Sequence, residues 1–168
     1  MSEQNREQAV DTHRIAHITL DEKSIIRRNA DVEHERRVAI FDLLEDNLFI
    51  PRSDLVGGYE GPYHVVLRME DNRLALDIND TEDKPLHSFT VPLTAFKRII
   101  KEYFLICDSY YNAIKSASPR QIEAIDMGRR GIHNQGSELL MERLADKVEV
   151  DFDTARRLFT LICVLQIR

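Results

Sequence analysis

From Pro92 onward the hydrophobic period of the sequence changes from two to 3.6, and no other feature constrains the fold as much. On a helix at ~100° per residue, the apolar residues of 94–115 collect on one side. Phe96, Ile99, Ile100, Tyr103, Phe104, Ile106, Cys107, Tyr110, Tyr111 and Ile114 fall within an arc of about 160°. Lys97, Lys101, Glu102, Asp108, Asn112 and Lys115 lie outside it, with Leu105 the one large apolar residue on the polar side. Such a helix must bury its arc against another layer.

The preceding segment supplies that layer. "YHVVLRM" and "RLALDI" flank the turn "EDN", and the loop "NDTEDKP" leads to "LHSFTV". Leu74, Leu76 and Ile78 alternate with Ala75 and Asp77, so one face is apolar, and the short connections predict an antiparallel meander. Upstream, "RIAHITL" reads as a strand with Ala16, Ile18 and Leu20 on one face, ended by Asp21. A short helix over "EKSIIRRNA" follows. A firmer helix is predicted from Val32 to Asn47, N-capped by Asp31, with Val38, Phe41, Leu44 and Leu48 as its apolar stripe and Pro51 as its stop. "VGGYEGP" is a loop in which Gly57, Gly58 and Gly61 are free to take positive φ.

Two helices close the chain. Ser118, Pro119 and Gln121 form the N-cap, first-turn proline and capping-box position of a helix running to Ala145. The last helix starts at "DFDT" with Asp153 as N-cap. Its "LFTLICVL" is apolar on all sides except at Thr160. Leu158, Phe159, Ile162 and Leu165 are predicted in the core, while Leu161 and Val164 point elsewhere and need a cover from another element or subunit.

The stretch "MGRRGIHNQGSELL" holds three glycines within one predicted helix, each costing ~1 kcal/mol relative to alanine. Ile125, Ile132 and Leu139 form a heptad-spaced stripe, with Gly128 on it and Gly131 and Gly136 beside it. The predicted offset is close approach of another backbone through Gly128, Gly131 or Gly136, with the last helix as a candidate neighbour; the rival reading is a helix that breaks at Gly131 and exposes a glycine-rich turn. Arg129 and His133 share a face bordering that stripe, and Arg130 and Asn134 make a second polar pair. A histidine beside an arginine at the edge of a core tends to stay neutral; it either satisfies a carbonyl or carboxylate, or serves a site as acid, base or hydrogen-bond partner, whose anion affinity rises as pH falls through ~6.5 if the ring is unperturbed. Arg156 and Arg157 lie in the first turns of the last helix, where cations oppose the macrodipole. Pairing with Asp151, Asp153 or Glu149 offsets this, or else a bound phosphate does. Arg129, Arg130, His133, Asn134, Arg156 and Arg157 are therefore the candidate binding residues; no catalytic residue is assigned.

Motifs with stricter chemistry are not matched. His13 and His17 have metal spacing only on a helix, and their segment reads as a strand. Asp77, Asn79, Thr81 and Asp83 echo a calcium loop, but Glu82 and Ser88 stand where its glycine and terminal glutamate belong. No metal and no cofactor are expected. The glycine loop has no P-loop lysine, and no G-x-S-x-G or H-E-x-x-H occurs. Cys107 and Cys163 sit in apolar helical sequence, as buried thiols of a reducing cytoplasm do. The net charge of -6 argues against general nucleic-acid or anionic-membrane binding. No stretch approaches the ~20 apolar residues of a membrane span.

The segments "PLTAFKRIIKEYF", "MGRRGIHNQG" and "DFDTARRLFTLICVL" together resemble an uncharacterised bacterial protein family, UPF0262. The resemblance covers nearly the whole chain apart from its polar start. It implies a bacterial cytosolic setting and carries over no site.

The expected architecture is α+β: a small antiparallel β-meander packed against helices, with a C-terminal layer of three long helices. Residues 1–12 are expected as a flexible polar tail and residues 13–168 as a single domain. Two functions remain open. The first is a non-catalytic binding or regulatory protein acting through a protein partner, or self-associating through its C-terminal helices, on the ground of surplus apolar helix surface. The second is a small-anion, phosphate-type binder or enzyme using Arg129 and His133.

Overall fold

The computed structural model describes residues 12–21 and 30–166. The tail expected over 1–12 and the helix expected over 22–30 lie outside the described residues, apart from Thr12 and Ala30. The fold is α+β, a sheet built around an antiparallel meander and packed with helices.

The meander is β3 (Tyr63–Glu70), β4 (Arg73–Asn79) and β5 (Pro85–Pro92). Strand β1 (Ile15–Leu20) lies beside β3 and runs parallel to it, so the sheet is mixed, in the order β1-β3-β4-β5. A parallel neighbour requires a crossover, and the chain between β1 and β3 provides one through helix α1 (Ala30–Glu45). The register slips between Ile15 and His17. Ile15 therefore joins Ile18 and Leu20 in the core, and Ala16, expected there, is exposed. Tyr63, Val65, Leu67, Leu74, Leu76 and Ile78 complete the buried face.

Helix α1 departs from its predicted face and ends. Asp31 lies inside it rather than capping it, and it stops at Glu45, short of Asn47. Asn47 instead bonds to β1: its Oδ1 accepts from Ile15 N at 2.7 Å, and its Nδ2 donates to Ile15 O at 2.9 Å. Ala39 and Leu43 are buried, whereas Val38 and Phe41, expected in the stripe, are 42% and 66% exposed. Pro51, expected as a stop, is the last residue of strand β2 (Phe49–Pro51), which pairs antiparallel with β6 (Val148–Val150). This second sheet ties the exit of α1 to the entry of the last helix.

A 3-10 turn (Thr94–Phe96) leads into α2 (Lys97–Ser116), whose Ile100, Tyr103 and Cys107 are buried while Leu105 is exposed as its position on the polar side predicts. Ile114, placed on the apolar arc, is exposed near the end of the helix. Helix α3 (Pro119–Leu144) is continuous through its glycines, and Ser118 and Gln121 form the full capping box. Helix α4 (Phe152–Leu165) is capped by Asp151, not Asp153: Asp151 Oδ1 accepts from Thr154 N at 2.9 Å. β6 ends at Val150, so the chain turns into the helix without the extra residues the sequence allowed. Helix α3 packs against α2 and α4, and α4 also packs against α1. Leu158, Phe159, Ile162 and Leu165 are buried, and so are Leu161 and Val164, covered within the chain itself.

Among the described residues, no helix is long and apolar enough to cross a membrane.

Candidate functional site

The site begins with how α1 meets α4. Thr154 Oγ1 accepts from Leu48 N at 2.9 Å, and Arg157 Nη1 donates to Asp46 O at 2.8 Å. Both bonds pin the C-terminal end of α1 against the first turns of α4, and the Arg157 bond brings a cation to the carbonyls of a helix end. Beside this joint a cavity of about 340 Å3 opens between α1, α3 and α4.

Helical spacing determines what lines it. Glu35, Val38, Ala39 and Asp42 come from one face of α1. Asp153, Arg156, Arg157 and Thr160 come from α4 at the same spacing, and Arg129, Arg130 and His133 come from α3, with Tyr103 of α2 behind them. Five of the predicted binding residues thus share one cavity: Arg129, Arg130, His133, Arg156 and Arg157. Asn134 is not among the lining residues. At about 100° per residue it points well round the helix from His133, and its side chain is too short to return as Arg130 does.

Two of the cations share one carboxylate. Asp126 Oδ1 accepts from Arg129 Nη2 at 2.6 Å and from Nε at 3.2 Å, while its Oδ2 lies 2.7 Å from Arg130 Nη2. The Arg129 hydrogen bonds, first among several causes, hold the Asp126 carboxyl below the usual carboxylate range. Arg129 also stacks 4.4 Å over the Tyr110 ring. Arg157 serves the end of α1. Among the described residues, the Arg156 guanidinium makes no ion pair and no hydrogen bond. The pairing expected for Arg156 and Arg157 with Asp151, Asp153 or Glu149 does not form: Asp151 is occupied as a cap, and the others stand apart.

His133 is 8% exposed. Its ring meets Tyr103 and Phe159 edge-on, at centroid distances of 5.3 and 5.2 Å. Thr160 donates its hydroxyl hydrogen to Arg156 O at 3.2 Å, so its oxygen accepts from His133 Nε2 at 2.8 Å. Ser137 Oγ donates to His133 O at 2.8 Å and lies 3.5 Å from Nδ1. Burial, then Arg156 and then Arg129, push the imidazole from 6.5 down to about 4. His133 is therefore a neutral hydrogen-bonding wall of the cavity. This is the neutral state expected of a histidine beside an arginine at the edge of a core, and a rise in anion affinity around pH 6.5 does not follow from it.

The glycines divide three ways. A Cβ on Gly136 would stand 2.2 Å from Cζ of Phe159, so here α4 is the neighbour, and it fills the space with an aromatic ring rather than with the backbone the sequence predicts. At Gly128 the neighbour is the end of the Ile106 side chain, 2.8 Å away, and it belongs to α2. At Gly131 nothing lies within 4 Å, and the expected close packing is absent because this residue sits on the far side of α3 from His133. The buried seam of α3 is His133, Gly136, Ser137, Leu140 and Leu144, one position on from the predicted Ile125, Ile132 and Leu139, which are only half-buried.

Sequence reasoning missed the carboxylates Glu35 and Asp42 and the roles of Tyr103 and Thr160, and it gave Asp153 a capping or pairing role in place of one at the cavity. The signal was available in their spacing: Glu35 and Asp42 on α1, and Asp153 and Thr160 on α4, each stand seven residues apart and so share a helix face. Elsewhere, His17 packs edge-on against His64, which bridges Asp83 and Thr19, on the outer sheet face. Among the described residues no group of His, Cys, Asp and Glu is arranged to hold a metal ion. Both cysteines are buried and free. Burial is the largest cause raising the Cys107 thiol to about 11, and it pushes that of Cys163 well above its ordinary value.

Comparison with known proteins places this sequence in a bacterial family. No solved structure matches the chain. The relative from Erythrobacter litoralis, named a UPF0262 protein, is 58% identical over 156 residues, covering 93% of this chain and 98% of its own. Those from Paramagnetospirillum magneticum and Azorhizobium caulinodans are 57% and 59% identical, covering 92% and 91% of this chain and 96% and 93% of theirs. The family description "Uncharacterised protein family (UPF0262)" matches residues 12–168, and the chain belongs to that family.

Proposed function

We propose that the chain is a cytoplasmic binding protein whose cavity between α1, α3 and α4 takes a small molecule bearing a carboxylate or phosphate group. The observation that carries this reading is Arg156: a guanidinium lining a cavity with Arg129, Arg130 and Arg157 and, among the described residues, without a partner. Its donors form a planar fork suited to two oxygens of one anionic group. The hydrogens of His133 Nε2 and of the Thr160 hydroxyl are already donated within the protein, so the donors for the anion come from Arg156. Two buried free thiols suit a reducing compartment.

Thermal melts of wild type and Arg156→Ala in rising phosphate, sulfate, succinate, citrate and the proteinogenic amino acids test the reading. A ligand of the native state raises the melting temperature as its concentration passes its dissociation constant. The expected result is stabilisation of wild type by at least one of these compounds, with that shift lost in Arg156→Ala. Equal shifts in both proteins, or none in wild type, overturn it.

Action through a protein partner is the second reading, and one observation favours it: Phe41 and Val38 lie exposed on α1, with Val38 at the cavity itself. The surplus apolar surface of α4, which first suggested a partner or self-association, is covered by the chain's own elements.

A further inference from the structure

We infer that the ligand of this cavity is a zwitterion of the α-amino-acid type, its acidic group on Arg156 and its ammonium group between Asp42 and Asp153; this rests on the anion-binding reading above. The ground is charge held apart. Asp42 on α1 and Asp153 on α4 line the same cavity as Arg156. Among the described residues, neither aspartate side chain makes an ion pair or a hydrogen bond, and neither does the guanidinium of Arg156. Asp153 and Arg156 are three residues apart on one helix, a spacing at which opposite charges readily meet, and they do not.

Of the other carboxylates at the site, Glu35 accepts from the Tyr111 hydroxyl at 2.9 Å and Asp126 is held by two arginines. The two unengaged aspartates are thus the acceptors left for a cation. A simple anion on Arg156 would gain the guanidinium and meet the repulsion of both aspartates. A molecule carrying an ammonium group beside its acid turns that repulsion into attraction, at a rim where Asp153 and Arg156 are exposed and Asp42 is half-buried. The volume, about 340 Å3, lies at the small end of ligand cavities, which run to roughly 1,000 Å3. Val38 and Ala39 add a short apolar strip for a side chain.

Calorimetry on the full chain, with each proteinogenic α-amino acid set beside its desamino acid (glutamate beside glutarate, leucine beside 4-methylpentanoate), tests this. At least one amino acid should bind about tenfold tighter than its desamino counterpart. In Asp42→Asn and Asp153→Asn, shown folded by thermal melts, that preference should fall while affinity for the desamino acid holds or rises. Desamino acids that bind as tightly in every pair overturn the zwitterion inference and leave anion binding standing. So does binding of phosphate or citrate with none of any panel member. If nothing binds, both readings fall.

Discussion

The N-terminal half of α3 and its C-terminal half are built from similar residues and do different work. Between Pro119 and Ile132 no side chain is fully buried, and the polar groups engage one another: Asp126 with Arg129 and Arg130, and Arg129 with the Tyr110 ring. From His133 to Leu144 the helix enters the core, and His133, Gly136, Ser137, Leu140 and Leu144 form its seam against α4. One glycine lies open to solvent in the first half, and another lies under the Phe159 ring in the second. The difference teaches that composition alone does not say what a glycine or a histidine is for. The side of the helix it occupies does.

The largest expected effect tests which half His133 belongs to. In an unfolded chain a histidine titrates near pH 6.5, whereas in the folded protein burial and two arginines hold it near 4. Between those values the unfolded chain takes up a proton that the folded one does not. Stability should therefore fall as the pH drops from about 6.5 to about 4, by about 3 kcal/mol, and this contribution should level off below. Urea unfolding across that range should show the slope in wild type and a shallower one in His133→Gln. Equal slopes would move His133 out of the core.

Next comes Gly136→Ala. Three ring atoms of the fully buried Phe159 stand 2.2, 2.4 and 2.6 Å from the new carbon, and the ring has no open side to turn towards. Overpacking of this kind should cost ~2 kcal/mol in spite of alanine's better helix propensity. A variant as stable as wild type would show that α3 and α4 separate freely at this crossing.

What the sequence disclosed of this arrangement was its local part. The period of α2 and the Ser118–Gln121 capping box depend on neighbours within a turn or two, and the meander on neighbours across short turns. The parallel pairing of β1 with β3 and the three-residue strands β2 and β6 depend on distant partners, and three residues carry no period. In α1 the buried face is marked by Ala39 and Leu43, while the bulkier Val38 and Phe41 drew the eye to the wrong side. For the site, the arginines were legible as cations needing an explanation. Their convergence with His133 was not, because it requires α4 to lie between α1 and α3. In a chain with net charge -6, Asp42 looked like an ordinary surface acid, and Asp153 read as the cap of the last helix or a partner for its arginines.

Gly131→Ala should do the opposite of Gly136→Ala. Nothing lies within 4 Å of its new carbon, φ is ordinary there, and nothing in the structure requires a glycine. The helix should gain ~1 kcal/mol. Thermal melts resolve that gain, and a loss would show that something docks on this side of α3.

Gly128 stands between the two cases, and its alanine variant should have the smallest effect. The added carbon gains the same helix propensity, ~1 kcal/mol, but meets Cδ1 of Ile106 at 2.8 Å. That atom is the free end of a half-buried side chain on α2, and rotating its last bond relieves the contact at a cost of ~0.5–1 kcal/mol. The two nearly cancel, so Gly128→Ala should melt close to wild type. Combining it with Ile106→Val removes the offending methyl, and the double variant should then recover part of the propensity gain relative to Ile106→Val alone. If Gly128→Ala instead costs as much as Gly136→Ala, the α2–α3 contact is as rigid as the α3–α4 seam. The first half of α3 would then count as core, and the line drawn at His133 would have to move.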